Sequence, residues 1–400
     1  MTLRCDRLDR SPAKILLVIS SLSVGGTEKH LVSISRALRS RGWNVVVYST
    51  GGKGPLAKDL GIGGVRVIPA PSRLCGISVR GGIIRLPITA LHLLSVLLKE
   101  RFAIVHFFLP EAYLVGAPLA LLAGIKLRIM SRRSLNVYQG KHRVAGFLER
   151  QWHPFMTAVL ANSRSVVKQL ELEGVRAERL GLIYNGLDGE AGSLNGRART
   201  RHALGVGEAT LVFVIVANLI PYKGHLDLIE AFGRVADQLP ADWRLLVVGR
   251  DDGVATAAQA LATSLGIADN ISFLGLRNDV PDLLSASDVG LLSSHEEGFS
   301  NAVIEAMRAG LPMIVTDVGG NAEAVIDGET GLVVPPRDIS ALADAILQLA
   351  SDPLLRRSYG CKGRRRMEQY FTLDGCVAAY EALYLGLLAG KSPSEITEIR

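Results

Sequence analysis

The sequence predicts an α/β fold of two doubly wound domains, each a parallel sheet flanked by helices. Three observations predict it. Short β-branched apolar runs recur along the chain, segments of helical periodicity separate them, and the alternation breaks and restarts after residue 190. With 400 residues, 48% of them hydrophobic, the chain is long enough for two ordinary domains and too apolar for disorder.

In the first half the runs are residues 14–20, 44–49, 65–68, 103–109 and 157–163. Leu31, Ile34 and Leu38, spaced i, i+3, i+7, mark one intervening helix. After Asn185-Gly186-Leu187-Asp188 comes a stretch rich in Gly, Ser, Asn and Arg with little apolar periodicity. The second half then runs 210–219, 244–249, 271–275, 288–294, 312–316 and 331–335. The expected organisation is a Rossmann-like domain over 1–190, a linker over 191–207, a second Rossmann-like domain over 208–372, and a C-terminal helix and tail over 373–400 that can pack back on the first domain. Open parallel sheets bind ligands beyond the carboxyl ends of their strands, here expected to face a central cleft.

The 45 Lys and Arg against 38 Asp and Glu give a net +7, which hides an asymmetry. Up to Glu190 there are 27 basic and 12 acidic residues, a balance of +15, and the remainder carries −8. One half therefore suits an anionic partner. A bilayer span needs about 20 mostly apolar residues, whereas the longest uncharged run is the 16 residues 253–268. Arg4, Arg7 and Arg10 precede the apolar run 15–22, but Asp6 and Asp9 interrupt them and no small-x-small cleavage site follows, which disfavours a signal peptide. Cys5, Cys75, Cys361 and Cys376 are scattered, fitting neither a zinc site nor a disulfide framework. A cytoplasmic protein is expected.

The richest stretch for chemistry is Ser294-His295-Glu296-Glu297-Gly298-Phe299-Ser300-Asn301-Ala302-Val303-Ile304-Glu305-Ala306-Met307. A buried run ends in a polar loop, Gly298 permits the turn, and Ser300 or Asn301 can cap the helix that follows. Backbone N–H groups at such a helix start suit a phosphate. Glu297 and Glu305 bracket it, and each carboxylate can accept from a vicinal diol. A solvated surface helix with incidental acids is the competing reading.

This stretch resembles the glutamate-x7-glutamate motif of retaining glycosyltransferases of family 4, which have the GT-B fold. The resemblance extends over nearly the whole chain. Val216-Ala217-Asn218-Leu219-Ile220-Pro221-Tyr222-Lys223-Gly224-His225 looks like the family's diphosphate-binding lysine segment. Gly319-Gly320-Asn321-Ala322-Glu323 and Gly331-Leu332-Val333 stand at the expected places beyond it. Gly25-Gly26-Thr27-Glu28 matches the first glycine loop, and Ala161-Asn162-Ser163 and Asn185-Gly186-Leu187-Asp188 match hinge-side patterns. The resemblance implies a GT-B architecture and transfer of a sugar from a UDP- or GDP-linked donor, with retention, to a saccharide or phospholipid-linked acceptor in cell-surface polysaccharide or glycolipid synthesis. It implies that Glu297 holds donor-sugar hydroxyls, that Gly298 and backbone amides near Phe299, Ser300 and Asn301 hold the diphosphate, and that Glu305 holds the ribose. Lys223 would neutralise the departing diphosphate; a plain ion pair at a helix start is the alternative.

No Asp-x-Asp occurs, so neither a metal nor another cofactor is expected, the nucleotide-sugar being a co-substrate. Two departures from the family stand out. Asn218 replaces a cation common at that position, and Arg250 is a candidate to compensate. His106 is the single histidine of residues 105–111, where some relatives have two. It is a candidate for polarising the donor sugar or touching the acceptor, or else a satisfied histidine at a strand end. At the amino end, Gly25 and Gly26 allow close backbone approach, and Thr27 can cap a helix starting near Lys29 or His30.

Arg80, Arg85, Lys99, Arg101, Arg128, Arg132, Arg133, Lys141, Arg143 and Arg150 recur between apolar segments such as residues 83–98. A wide apolar face edged by cations suits an anionic bilayer and peripheral contact at the cytoplasmic membrane face; a core-packing helix with solvated ends is the alternative. Nucleic acid is not expected, because the cations are not interleaved with aromatics. The competing functions are a nucleotide-sugar epimerase or phosphorylase on this architecture, and a catalytically silent nucleotide-sugar-binding subunit.

Overall fold

A computed structural model describes residues 13–71, 73, 74, 77, 78, 82–188 and 194–397. Its strands, in chain order, are β1 (Lys14–Ile19), β2 (Asn44–Ser49), β3 (Arg66–Pro69), β4 (Arg73–Leu74), β5 (Ile77–Ser78), β6 (Ile104–Phe108), β7 (Leu127–Arg132), β8 (Ala158–Ala161) and β9 (Leu180–Leu182). The second half adds β10 (Leu211–Val216), β11 (Trp243–Val248), β12 (Ile271–Gly275), β13 (Val289–Leu292), β14 (Met313–Thr316) and β15 (Gly331–Val334). Strands β4 and β5 form a small antiparallel pair. The others build two parallel sheets, ordered β3-β2-β1-β6-β7-β8-β9 and β12-β11-β10-β13-β14-β15. The chain divides into two compact units: one up to Asn162 with Val167–Ile183 and everything from Cys376, the other Ser163–Val166 with Tyr184–Gly375.

In the second unit the alternation of a buried parallel strand is visible in β10. Leu211, Phe213 and Ile215 join one apolar cluster, while Val212 and Val214 join the cluster on the opposite face. Phe232 packs edge-on to Phe213 and flat on Trp243, both at 5.0 Å between centroids. Strand order reverses between β10 and β13, the switch point at which two loops diverge and leave room for a ligand. Within the expected linker 191–207, the described part is not irregular chain. Residues 194–203 form the helix Leu194–Ala203. Fully buried Arg201 fastens it to the unit by donating to the carbonyls of Ala286 (2.7 Å), Gly207 (2.7 Å) and Thr210 (2.5 Å). Its few apolar residues disguised a helix held by side-chain bonds to backbone carbonyls.

In the first unit β1 is the fully buried centre, Ile15 to Ile19 all without exposure, paired with β2 on one side and β6 on the other. Strands β7 and β9 were not expected, because β7 contains Arg128 and Arg132 and β9 is only Leu-Gly-Leu. Helix Pro110–Leu122 packs against both Gly82–Glu100 and Arg143–Trp152. Within Gly82–Glu100, Leu93, Val96 and Leu97 are buried and Leu86, Leu91 and Leu98 exposed. From Cys376 onward the helix Leu373–Leu388 belongs to this unit, where Trp43 Nε1 donates to Glu381 Oε1 (2.8 Å), which also pairs with Arg41.

One of the supposed surface cations is internal, and another, half-buried, is spent on backbone carbonyls. Arg132 is fully buried between Glu149 (2.6 Å) and Glu173 (2.9 Å), and Arg128 turns its guanidinium onto the carbonyls of Phe155 and Ile125. Arg4, Cys5, Asp6, Arg7, Asp9, Arg10, Cys75 and Arg80 lie outside the described residues. Among the described residues no helix is long and apolar enough to cross a membrane.

Candidate active site

After β10 the chain passes through a turn at Pro221–Lys223 and starts the helix His225–Val235 from Gly224, whose φ of +68° is left-handed. A Cβ on Gly224 would stand 2.0 Å from the Ser293 carbonyl oxygen, so the two switch-point loops touch backbone to backbone. Further bonds lace them together. His295 N donates to the Tyr222 carbonyl (2.7 Å), Ser293 Oγ to the Gly224 carbonyl (2.9 Å), and His295 Nε2 meets Asp227 Oδ2 at 2.8 Å.

This lacing brings Lys223 Nζ to 2.5 Å from Glu297 Oε1, which also accepts from Ser294 Oγ (2.7 Å). Ser294 is held in turn, its carbonyl accepting from Thr316 Oγ1 (2.5 Å). The Lys223 and Glu297 side chains are 17% and 10% exposed, largely desolvated yet open enough to be reached. Burial acts to lower the Lys223 pKa, but the Glu297 carboxylate outweighs it and holds the ammonium above the ordinary lysine value. The result is a fixed cation and a fixed carboxylate at one end of a parallel sheet.

The loop beyond Glu297 is gripped from behind. Gly319, with φ +57°, lies where a Cβ would be 2.0 Å from the Glu297 carbonyl oxygen, and Gly320 N donates to the Gly298 carbonyl at 2.8 Å. Phe299 packs on Tyr184 and Phe371 at 5.3 and 5.2 Å, so its side chain is structural. Buried Asn185 donates from Nδ2 to the Phe299 carbonyl (3.1 Å) and to Asn301 Oδ1 (2.7 Å). The helix Asn301–Arg308 follows. Ser300 stands at its N-cap without the side-chain capping bond expected of it. Glu305 sits half-buried one turn into that helix. Asn218 Oδ1 accepts from Arg250 N at 3.2 Å, which joins those two candidates through backbone, but the exposed Arg250 guanidinium is engaged by Asp252 at 2.8 and 3.0 Å.

Two family models cover most of the chain: "Glycosyl transferases group 1" matches residues 197–366 and "Glycosyltransferase Family 4" matches residues 24–191. The chain belongs to the family 4 glycosyltransferases. It is 31% identical over 206 residues to the N-acetyl-alpha-D-glucosaminyl L-malate synthase of Bacillus anthracis, a match over 52% of this chain and about half, 53%, of that relative. It is 26% identical over 312 residues to the UDP-Gal:alpha-D-GlcNAc-diphosphoundecaprenol alpha-1,3-galactosyltransferase of Escherichia coli, over 75% of this chain and 79% of the other. Among solved structures, that of Anabaena Alr3699/HepE in complex with UDP and glucose aligns over 93% of this chain and 99% of its own at a TM-score of 0.82 and 23% identity, which establishes the GT-B fold.

Elsewhere in this glycosyltransferase, one candidate catalytic residue is corrected. His106 is not at a strand end but inside β6, with no exposure. Its Nδ1 meets Tyr384 Oη at 2.8 Å, its Nε2 meets Ser131 Oγ at 2.7 Å, and its ring stacks on Phe108 at 4.3 Å. Burial, helped by nearby Arg133, lowers its pKa to about 3. It is a satisfied core histidine that no substrate can reach. Thr27 is corrected as well. The helix Gly26–Ser40 begins at Gly26 with Gly25 as N-cap, so Thr27 lies inside the first turn and caps nothing. Gly25 and Thr27 are half-buried and Gly26 exposed, leaving that loop's backbone accessible.

Asn185 and Glu323 belong to motifs visible in the sequence, but their partners do not follow from it. The Glu323 carboxylate accepts from the backbone N–H groups of Arg164 (2.9 Å) and Ser165 (3.2 Å) and from Tyr184 Oη (2.8 Å). It therefore caps the helix Arg164–Leu172 from more than a hundred residues away.

Proposed function

We propose that this enzyme transfers a sugar from a nucleotide diphosphate donor, UDP- or GDP-linked, to a saccharide or lipid-linked acceptor with retention at the anomeric carbon. The Lys223–Glu297 pair at the β10/β13 switch point carries this reading. An ammonium held charged beside a helix start suits a diphosphate, and the neighbouring carboxylate suits sugar hydroxyls. Gly298 and the amides from Phe299 to Asn301 would meet the diphosphate, Glu305 the ribose, and Asn218 the flank left without a cation. A UDP-linked donor and a polyprenol-diphosphate acceptor are favoured by the name of the E. coli relative, and UDP with glucose by the Anabaena complex.

In the proposed step the acceptor hydroxyl oxygen bonds to the anomeric carbon on the face from which the diphosphate departs. The carbon–oxygen bond to the diphosphate breaks, and the hydroxyl proton passes to a departing diphosphate oxygen. Lys223 offsets the charge that develops there, with no metal or other cofactor in the reading. The Gly25–Thr27 loop would receive the acceptor. The basic first unit would make peripheral contact with the cytoplasmic face of a membrane, close to a lipid-linked acceptor.

The test is thermal unfolding with UDP, GDP and their sugars in the presence of EDTA. A ligand at 100 times its Kd adds about 2.7 kcal/mol to native stability, so one nucleotide series should raise Tm and Lys223→Ala should abolish the shift. No shift with any of them overturns the donor reading. A trapped covalent glycosyl-enzyme overturns the same-face step.

A further inference from the structure

In the second unit one peptide plane is held at both of its ends. The Gly319 carbonyl accepts from Ser165 Oγ at 2.7 Å, and the N–H of the same peptide, on Gly320, donates to the Gly298 carbonyl at 2.8 Å. A trans peptide is rigid and carries its carbonyl and N–H on opposite sides, so the two bonds run through it in series. The pattern continues one plane further. The Gly298 carbonyl shares its peptide with the Phe299 N–H, which no hydrogen bond among the described residues engages. The plane after that is pinned too, its Phe299 carbonyl accepting from Asn185 Nδ2 at 3.1 Å.

Ser165 is itself set in place. Glu323, three residues beyond Gly320, accepts from the N–H groups of Arg164 (2.9 Å) and Ser165 (3.2 Å). Residues 163–166 and the loop 319–323 therefore clamp each other, hydroxyl to carbonyl in one direction and N–H to carboxylate in the other. The helix Arg164–Leu172 does not need the Ser165 hydroxyl for its own start, because Ser163 Oγ already accepts from Val166 N at 3.2 Å. Residues Ser163–Val166 belong to the second unit, although Asn162 and Val167 on either side of them belong to the first.

From this we infer that Ser165 is a positioning residue for the donor diphosphate. Its hydroxyl orients and polarises the Gly319–Gly320 peptide, which does the same to the Gly298–Phe299 peptide, and the Phe299 N–H at the end of the relay is presented to a phosphate oxygen. Hydrogen bonds in series strengthen one another, since each carbonyl that accepts makes the N–H of its own peptide a better donor. An N–H that ends such a chain without a protein partner suits an anion. The inference rests on the reading that the amides from Phe299 to Asn301 meet the diphosphate, and it adds the remote side chain that sets one of them.

The experiment compares wild type, Ser165→Ala and Ser165→Thr as full chains, by amide hydrogen exchange and by titration with UDP, GDP, uridine and guanosine. In Ser165→Ala the Gly320 N–H should exchange at least about tenfold faster, because its bonded state opens more often. The nucleoside diphosphate that binds wild type should bind this variant about three- to tenfold more weakly, the scale of one hydrogen bond. The corresponding bare nucleoside, which has no phosphate, should bind both proteins equally. Ser165→Thr keeps the hydroxyl and should restore both properties. Unchanged Gly320 exchange in Ser165→Ala overturns the relay and leaves the donor reading intact. Equal weakening of nucleoside and nucleoside diphosphate makes Ser165 a structural residue and overturns its positioning role. If neither UDP nor GDP binds wild type, the donor reading falls together with the ligand assigned to the Phe299 N–H, while Gly320 exchange still decides whether the relay exists.

Discussion

Lys223 Nζ lies 2.5 Å from Glu297 Oε1, two residues 74 positions apart that the β10/β13 switch point brings together. Their union has a kinetic signature. Replacing either by Ala should lower kcat/KM for transfer by about 10²- to 10³-fold, the usual loss of one electrostatic contact to developing charge. The double variant should be little worse than the poorer single, because each residue positions the other. Initial rates on variants of unchanged melting temperature decide this, and fully multiplicative losses would show that the two act independently.

Asn185 should separate ground-state binding from chemistry. Its Nδ2 holds the Phe299 carbonyl and Asn301, so Asn185→Ala frees the loop that would receive the diphosphate. The expected outcome is a rise in donor KM of several-fold and a loss of about 1–3 kcal/mol on urea unfolding, from a buried carbonyl left without its donor. A variant with unchanged KM would remove the loop from donor binding.

Gly319 and Gly328 both have positive φ, +57° and +69°, but only Gly319 is crowded. Gly328→Ala should cost only the left-handed strain, about 1–2 kcal/mol, with activity kept. Gly319→Ala must in addition displace the Glu297 backbone and should reduce transfer at least about tenfold, since small misplacements near a reacting centre are costly. Equal activities for the two variants would show that this approach does not set the position of Glu297.

Stability should fall with acid through His106. Its folded pKa is about 3, while in the unfolded chain it titrates near the ordinary 6.5. Below pH 6.5 the unfolded state takes up a proton that the folded state refuses, so stability present at neutral pH drains by about 1.4 kcal/mol per pH unit toward pH 3. His225, lowered by burial to about 4, acts in the same direction. Urea unfolding at pH 7.5, 6.0 and 5.0 measures the slope, and His106→Asn should flatten it. A wild-type curve level across that range contradicts the assignment.

The second sheet was legible because each of its strands is an apolar run set off by turns, and a run buried on both faces has no other place to go. In the first sheet β7 escaped notice since the charges of Arg128 and Arg132 break its run, their partners being carbonyls and distant acids. Helix Leu194–Ala203 was hidden for the same reason: Arg201 finds backbone carbonyls, which no sequence pattern announces. Glu297 and Lys223 could be picked out one by one, but their contact depends on which two strands flank the switch point. His106 was undecidable, since one of its two partners, Tyr384, comes 278 residues later.

That late arrival bears on biosynthesis. Tyr384, buried against His106, completes the interior of a unit whose first strand begins at Lys14, Glu381 pairs with Arg41 of the same unit, and the whole of the second unit's sheet is translated between Lys14 and these two residues. A ribosome therefore releases the amino-terminal half with a polar histidine exposed and one side of its core missing, while the later half can already close on itself. The unit made first is the one finished last, and a truncation before Cys376 would strand it unfinished.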